Sequence, residues 1–413
     1  MEFKVFGPPG TGKTTYLAHQ IERAVEKYGA ESVMVASFTK AAAHELIRRN
    51  LDVPRENLGT LHAICYRMLG RPKICQTHKG IAEWNHGHSS YKLSTTIEED
   101  MDDPSNGWIE KNPGDSLFFA SQVLRARRVP VDRWPVAVQG FAEAWRQHKK
   151  ETESIDFTDM IEWVFNEFAH PPYGIRVGFF DEVQDFSQLE LDLVRKWAGE
   201  LEQVVFAGDD DQTIYAFKGA SPKGFLEPPV PEEQVRVLHE SFRVPQAIQE
   251  RSAQWIGRVT ERYPKVYRAR DYLGIVMRCS ATYQWPRPLM PYIDRVLADG
   301  KSIMILGSCN YHLWGVTKML REHGYSYHNP YRTNVRAWQH GEDPKIIVGT
   351  IHSVKGGEAD VVVLFPDISC VADETCWWTA RKDELVRTFY VGMTRAREKL
   401  VICAPAGMRC VDL

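Results

Sequence analysis

The eight cysteines include no C-x-x-C pair, which argues against a zinc ribbon, a redox dithiol or a secreted disulfide scaffold and leaves free thiols in a reducing cytoplasm as the expectation. No stretch approaches the roughly 18 uninterrupted apolar residues of a membrane span. Met1 leads straight into a Gly-rich loop, so no leader peptide is expected. Internal repeats and low-complexity tracts are missing too, as is any surplus of one charge. Lys+Arg 51 against Asp+Glu 54 leaves a formal charge of −3. A protein that coats phosphates non-specifically is usually basic, so nucleic-acid binding here would rely on local patches. What is present is an ordinary globular composition, 43% apolar and 25% charged over 413 residues. That excludes disorder, collagen and a simple coiled coil, and the length suits two or three domains.

Apolar residues set the organisation. Residues 1–6 carry a short buried strand (FKVF) that feeds the loop 7–15, and a helical pattern with Leu17, Ile21, Ala24 and Val25 inward runs to about Tyr28. A strand over 32–38 (SVMVASF) and a helix over 41–49 follow. Strands alternating with helices over short links predict a parallel sheet flanked by helices. Residues 71–150 break that rhythm: they are rich in Trp and His, carry an acidic run and then turn basic, and read as an insertion. The pattern resumes with a strand over 176–180 (RVGFF), a helix over 189–197 and a strand over 203–207 (QVVFA). A Pro-rich segment at 227–231 marks a domain boundary. Beyond it, strands over 302–306, 345–349, 359–364 and 399–403, with helices near 313–322 and 384–395, predict a second α/β domain.

Gly7-x4-Gly12-Lys13-Thr14 matches G-x-x-x-x-G-K-[ST] between a strand and a helix. Successive N–H groups from Gly7, Pro8, Pro9, Gly10, Thr11, Gly12, Lys13, Thr14 and Thr15 (the prolines supplying shape rather than donors) would cradle nucleotide phosphates with the helix N-terminus. Lys13 reaches the β- and γ-phosphates, and the Thr14 hydroxyl ligates Mg2+. Asp181 and Glu182 follow the strand RVGFF, which sets both carboxylates at the C-terminal edge of the sheet. Phosphoryl transfer to water needs one carboxylate to hold the metal's hydration shell and another to polarise the attacking water. Asp181 fits the first role and Glu182 the second.

Phe180-Asp181-Glu182-Val183-Gln184-Asp185 resembles the DExQD box of the superfamily 1 helicases related to UvrD, Rep and PcrA, and the segment from Gly208-Asp209-Asp210-Asp211-Gln212 to Gly219-Ala220 resembles their GDxDQSIYxFRGA. Ser37-Phe38-Thr39 through Glu45-Leu46 is similar to TFTxxAAxEM, and Gly59-Thr60-Leu61-His62 to GTFH. Leu238 to Arg243 resembles LxxNYR, Thr350 to Glu358 resembles THxxKGLE, and Tyr390 to Ala396 resembles YVAxTRA. The boxes run in family order from Gly7 to about Leu400.

The resemblance implies two RecA-like P-loop domains, the first from 1–70 and 151–231 with a mainly helical insertion at 71–150, the second from 232–413, with ATP and Mg2+ in the cleft between them. It implies that Gln212 senses the γ-phosphate, that Arg243 and Arg395 act as arginine fingers, that Phe242 stacks on the base, and that Glu358 contacts the ribose or the phosphate-loop side. Single-stranded DNA would cross both domains, with Phe38 and Phe217 as stacking platforms and Thr39, His62 and His352 as polar contacts. The activity implied is that of a monomeric ATP-dependent helicase moving 3′→5′ on single strands and unwinding tailed duplex. A translocase that strips proteins without unwinding, or a nucleotide-gated DNA-binding scaffold, are the alternatives.

The chain departs from the family pattern in four places. Six residues precede Gly7, which leaves no room for the upstream Gln segment that reads adenine. Lys218 stands for an Arg, keeping the charge without the planar fork, and Ser308 stands for another. Only 106 positions separate Arg243 from Gly349, where large relatives insert a further domain. The chain ends soon after the last box, so no partner-recruiting tail is expected. Two basic stretches are candidate nucleic-acid surfaces: Arg125, Arg127, Arg128, Arg133, Arg146, Lys149 and Lys150 among Trp134, Phe141 and Trp145; and Arg251, Arg258, Arg262, Lys265, Arg268 and Arg270 with Tyr263 and Tyr267. Cys75, His78, His86 and His88 match no standard zinc spacing.

Overall fold

Buried apolar pentapeptides make the framework. The computed structural model describes residues 1–38, 43, 46–49, 51–94, 112–330, 345–369 and 382–413. Packing divides them into two compact units. The first takes Met1–Gly7 and the described residues from Gly12 to Leu238, and the second takes His239–Leu413 with the loop tip Pro8–Thr11.

In the first unit, β1 (Glu2–Phe6), β2 (Val33–Ser37), β3 (Leu58–Thr60), β4 (Val177–Asp181), β5 (Gln203–Gly208) and β6 (Val235–Val237) form one parallel sheet in the order β3-β2-β4-β5-β1-β6. Every residue of β2 and β4 is buried, as a parallel sheet covered on both faces requires. Helix α1 (Lys13–Tyr28) lays Leu17, Ala18, Ile21 and Ala24 on it. β6 lies beyond the Pro-rich segment and pairs with β1; three half-exposed residues are too few to show a strand period in sequence. The helix expected over 41–49 falls mostly outside the described residues.

The insertion is helical where described. Helices α2 (Leu61–Met68), α3 (His78–Gly87), α4 (Asp115–Ala126), α5 (Val136–Glu151) and α6 (Phe157–Glu167) precede β4. Trp84, Phe118, Phe141 and Trp145 fill a separate small core there. Helix α7 (Gln188–Ala198) joins β4 to β5, opening on a capping box between Ser187 and Glu190.

In the second unit, β7 (Glu240–Pro245) and β8 (Arg268–Arg270) pair together. The strands β9 (Ile275–Cys279), β10 (Ile303–Gly307), β11 (Tyr327–His328), β12 (Ile346–Thr350), β13 (Ala359–Leu364) and β14 (Ala396–Cys403) make a second parallel sheet, ordered β11-β12-β10-β13-β14-β9. Helices α8 (Gln246–Ile256), α9 (Met290–Ala298), α10 (Trp314–Glu322) and α11 (Lys382–Met393) accompany it. The α/β class read from the sequence is therefore present twice. No helix among the described residues is long and apolar enough to cross a membrane.

Candidate functional site

Sheet order brings the phosphate loop and the acidic strand end together. β5 lies between β1 and β4, so the exits of the three strands are neighbours, and the Gly7 N–H donates to the Gly208 carbonyl at 2.9 Å. The loop needs glycine at two left-handed positions, Gly10 (φ 72°) and Gly12 (φ 73°). A Cβ on Gly7 would lie 2.7 Å from that of Lys13. Thr11 closes the loop tip, its Oγ1 donating to the Pro8 carbonyl at 2.8 Å.

Lys13 Nζ lies 2.5 Å from both Asp181 Oδ1 and Glu182 Oε1. Burial alone would lower the ammonium's pKa. The two carboxylates outweigh it, so Lys13 is held protonated. Burial raises the Asp181 carboxyl, Lys13 opposes that rise and Glu182 adds to it. Asp181 Oδ2 is buried and accepts no hydrogen bond from the described residues. An orphaned carboxylate oxygen beside a phosphate loop fits Mg2+, which uses one or two carboxylates plus phosphate and water rather than a protein cage. Among the described residues no group of three or more His, Cys, Asp or Glu could hold a metal by itself.

Glu182 is a non-glycine residue in the left-handed region (φ 58°, ψ 37°), a conformation that costs on the order of 1–3 kcal/mol and persists where the surroundings enforce it. The turn Val183–Asp185 closes on the Glu182 carbonyl, which accepts the Asp185 N–H at 3.0 Å, and the Glu182 carboxylate is held by Gln184, which is fully buried. Its Nε2 donates to Glu182 Oε2 at 2.5 Å and to Asp185 Oδ2 at 3.0 Å, while its Oε1 accepts the Asp209 N–H at 3.0 Å. Gly208 leaves room for that amide, since a Cβ there would sit 2.2 Å from Gln184 Oε1. Gln212 closes a 3-10 turn after β5, and its Nε2 donates to Asp209 Oδ2 at 2.7 Å. Gln184 and Asp209 were not singled out from sequence, although both lie inside the quoted boxes.

The aromatic candidates of the first unit also meet. Phe38, Tyr215 and Phe217 form a chain of rings, with centroids 5.4 Å apart for Phe38–Tyr215 and 5.8 Å for Tyr215–Phe217. Lys218 Nζ stands over the Phe38 and Tyr215 rings at 5.9 and 5.4 Å. Phe38 and Phe217 are half-buried, and Tyr215, the middle ring, was not singled out. His62 Nδ1 lies 3.6 Å from Glu190 Oε1. Thr39 lies outside the described residues.

In the second unit Arg243 Nε donates to Glu358 Oε2 at 2.5 Å, and Arg397 bridges Glu358 and Asp360 at 3.4 and 2.7 Å. Burial would raise the Glu358 carboxyl; Arg243, Arg397 and Arg395 outweigh it and hold it below the usual range. Arg395 is buried, its guanidinium donating to the carbonyls of Val391 and Gly357 at 3.0 and 3.3 Å. Phe242 presents its ring to solvent, 69% exposed, whereas His352 is buried.

Within the first basic stretch, Arg125 and Lys149 differ from the expectation. Arg125 pairs with Asp156, Asp159 and Glu162 at 2.5–2.8 Å, and Lys149 pairs with Asp156 and Asp159 at 2.7 and 2.5 Å. Trp145 Nε1 donates to Asp156 at 2.9 Å. Arg128 pairs with Asp192, and Arg146 with Glu143 at 2.6 Å. Arg125 and Lys149 therefore face inward onto carboxylates at the start of α6 and are not part of a phosphate-binding face. In the second stretch Arg268 pairs with Glu240, and Arg258 lies over the Trp255 ring. His88 stacks on Trp84 at 3.6 Å, and the Cys75 thiol donates to the Ile155 carbonyl.

Comparison with known proteins gives two family matches: the UvrD/REP helicase N-terminal domain over residues 1–229 and the UvrD-like helicase C-terminal domain over residues 345–403. Among curated relatives, a putative ATP-dependent DNA helicase YjcD of Bacillus subtilis is 26% identical over 249 residues, covering 54% of this chain and 32% of that protein. The ATP-dependent DNA helicase PcrA of Leuconostoc citreum is 25% identical over 280 residues (62% and 37%), and that of Staphylococcus aureus 24% over 292 (62% and 38%). The matches thus span about a third of the length of these relatives.

Proposed function

This chain belongs to the UvrD/Rep helicase family, and from that premise we propose that it is an ATP-dependent DNA motor that moves 3′→5′ on single strands and unwinds tailed duplex. The observation that carries the hydrolytic part is the convergence of Lys13, Asp181 and Glu182 at adjoining strand ends, with Glu182 fixed by Gln184.

In this reading the loop N–H groups and Lys13 bind the phosphates. Thr14 and Asp181 would hold Mg2+, which when bound would supply charge neutralisation to the nucleotide phosphates. Glu182 polarises the attacking water, and Gln212, oriented by Asp209, reports the γ-phosphate. Arg243 and Arg395 spread the charge that develops on the transferring group. Glu358 sets the direction of Arg243 through their short ion pair. Phe242 offers a face for the base. Phe38 and Phe217, joined through Tyr215, give single-stranded DNA a stacking surface, with Lys218 placed for a phosphate; Thr39, His62 and His352 supply polar contacts.

The test is ATP turnover with and without single-stranded DNA, beside Glu182→Gln, followed by strand separation on duplexes with a 3′ or a 5′ tail. DNA-stimulated turnover abolished by Glu182→Gln, with unwinding only of the 3′-tailed duplex, supports the proposal. Turnover indifferent to DNA overturns the motor. Stimulated turnover without strand separation reduces it to a translocase, and preference for the 5′ tail reverses the polarity.

A further inference from the structure

The edge of the second sheet carries two thiols against each other. The sheet order ends on β9, whose one ladder among the described residues is with β14. In that ladder Cys279, the last residue of β9, is the register partner of Cys403, the last residue of β14. Opposed residues of neighbouring strands stand about 4.8 Å apart, inside the range of roughly 4.4–6.8 Å between Cα atoms that a disulfide spans. Parallel register keeps both side chains on one face of the sheet, and the two Sγ atoms lie 3.6 Å apart. Both are free thiols. No C-x-x-C spacing announces the pair. The residues are 124 positions apart, and the ladder alone makes them neighbours.

The two thiols are unlike. Cys403 is 1% exposed and belongs to the apolar core of the second unit. Cys279 is half-buried on the edge strand, beside the exposed Met277 and Arg278. The Cys403 thiol and the Ala281 backbone outweigh the burial of Cys279 and lower its pKa to about 7. The same sulfur–sulfur contact, together with burial, pushes Cys403 up, so the pair keeps its proton on the inner sulfur. Cys65 and Cys75 are buried and pushed up by burial, and Cys410 is pushed up as well. A thiolate within reach of solvent, backed by a second thiol, is what a peroxide oxidises first.

We propose that Cys279 and Cys403 form an oxidation site, which a peroxide closes to an intrachain disulfide fastening the edge strand β9 to β14. The Cys279 thiolate attacks one peroxide oxygen and the O–O bond breaks. Hydroxide leaves and is protonated by solvent, and Cys279 becomes a sulfenic acid. With the thiolate charge gone, the contact that held the Cys403 proton in place is lost. The Cys403 sulfur then attacks the Cys279 sulfur; the S–S bond forms, the S–O bond breaks, and the hydroxyl leaves with the Cys403 proton as water. Two thiols are oxidised and one peroxide is reduced to two waters. The sulfurs have about 1.5 Å to close. The site does not depend on the nucleotide and DNA reading given above.

The test treats the intact, reduced chain with hydrogen peroxide, blocks the remaining thiols with N-ethylmaleimide during unfolding, and maps the peptides by mass spectrometry. The expected product has lost two hydrogens, joins the peptides that hold Cys279 and Cys403, and reverts with dithiothreitol. Cys279→Ser should abolish it. Cys403→Ala should stop the reaction at a Cys279 sulfenic acid that dimedone traps. Thermal unfolding checks both variants, and the wild-type map stands without them. A treated wild-type chain in which both residues still take up N-ethylmaleimide overturns the proposal. So does a Cys279 joined to a different cysteine, or one carried on to sulfinic acid while Cys403 stays a thiol.

Discussion

Replacing Gln184 by leucine separates orientation of Glu182 from the chemistry of Glu182. Leucine nearly matches the volume but removes the donors to Glu182 and Asp185 and the acceptor of the Asp209 N–H. A buried donor that loses its partner costs about 1–3 kcal/mol, and a hydrogen bond to a charged group is worth about 1.5–3 kcal/mol net. Glu182 is one-quarter exposed and regains part of its loss from water. The stability loss is therefore about 2–4 kcal/mol, read as a shift in urea midpoint. Turnover should suffer independently. With the carboxylate free to swing, misplacement by an ångström costs about a hundredfold in kcat. KM for ATP should move little, since the phosphate loop and Lys13 are untouched. Gln184→Glu adds a second readout: it places an acceptor against two carboxylates, so kcat should collapse at neutral pH and partly recover as acidification protonates the new carboxyl into a donor. A Gln184→Leu chain with kcat within about twofold of wild type, despite lowered stability, refutes the positioning argument and leaves Gln184 a packing residue.

Acid should weaken the second unit through His312. Burial pushes its pKa down to about 4, among Ser308, Cys309, Tyr283 and Tyr311. The unfolded chain takes up the proton first, near pH 6.5. The stability from neutral His312 is complete above that pH and falls away toward pH 4, a loss of about 2 kcal/mol between pH 7.5 and 5. Urea unfolding at both values checks it, and a His312→Gln chain with the same pH slope as wild type rejects it. Nucleotide and Mg2+ should bind cooperatively through Asp181: a fluorescent ATP analogue should bind about tenfold or more tighter with Mg2+ than in EDTA, and Asp181→Asn should remove most of that gain. An unchanged Mg2+ effect in the variant shows that Asp181 is not the metal's carboxylate.

The strands were legible because parallel strands buried on both faces read as short apolar runs. VGFF before Asp181, IMIL before Gly307 and ADVVVL each fell within a residue of their observed bounds. β6 and β8, three residues each, carried no such signal. The phosphate loop was legible because its donors are consecutive. Gln184 was not, because its partner Asp209 lies 25 residues away, just past the end of another strand, and only sheet order makes them neighbours. Arg125 and Lys149 were misread for the same reason. Local sequence showed basic residues among aromatics, while their carboxylates at Asp156, Asp159 and Glu162 lie further on, at the cap and first turns of α6. A charge run states how much charge a segment carries; only packing states whether it is already neutralised.

The ion pairs of Lys13 bear on how Glu182 keeps its aim. One ammonium serves two carboxylates at 2.5 Å. If the same ammonium turns to phosphate oxygens, both acids lose their counter-charge together, and their responses differ. Asp181, buried with one oxygen already unpartnered among the described residues, then requires another cation, which is the reason for expecting metal and nucleotide to arrive together. Glu182 has a second hold, the Gln184 amide and a left-handed backbone fixed by the turn Val183–Asp185. Binding phosphate therefore frees Glu182 from its salt bridge without freeing its position. Gln184 matters most once Lys13 is occupied elsewhere, so its substitution should show in kcat more than in the affinity for ATP.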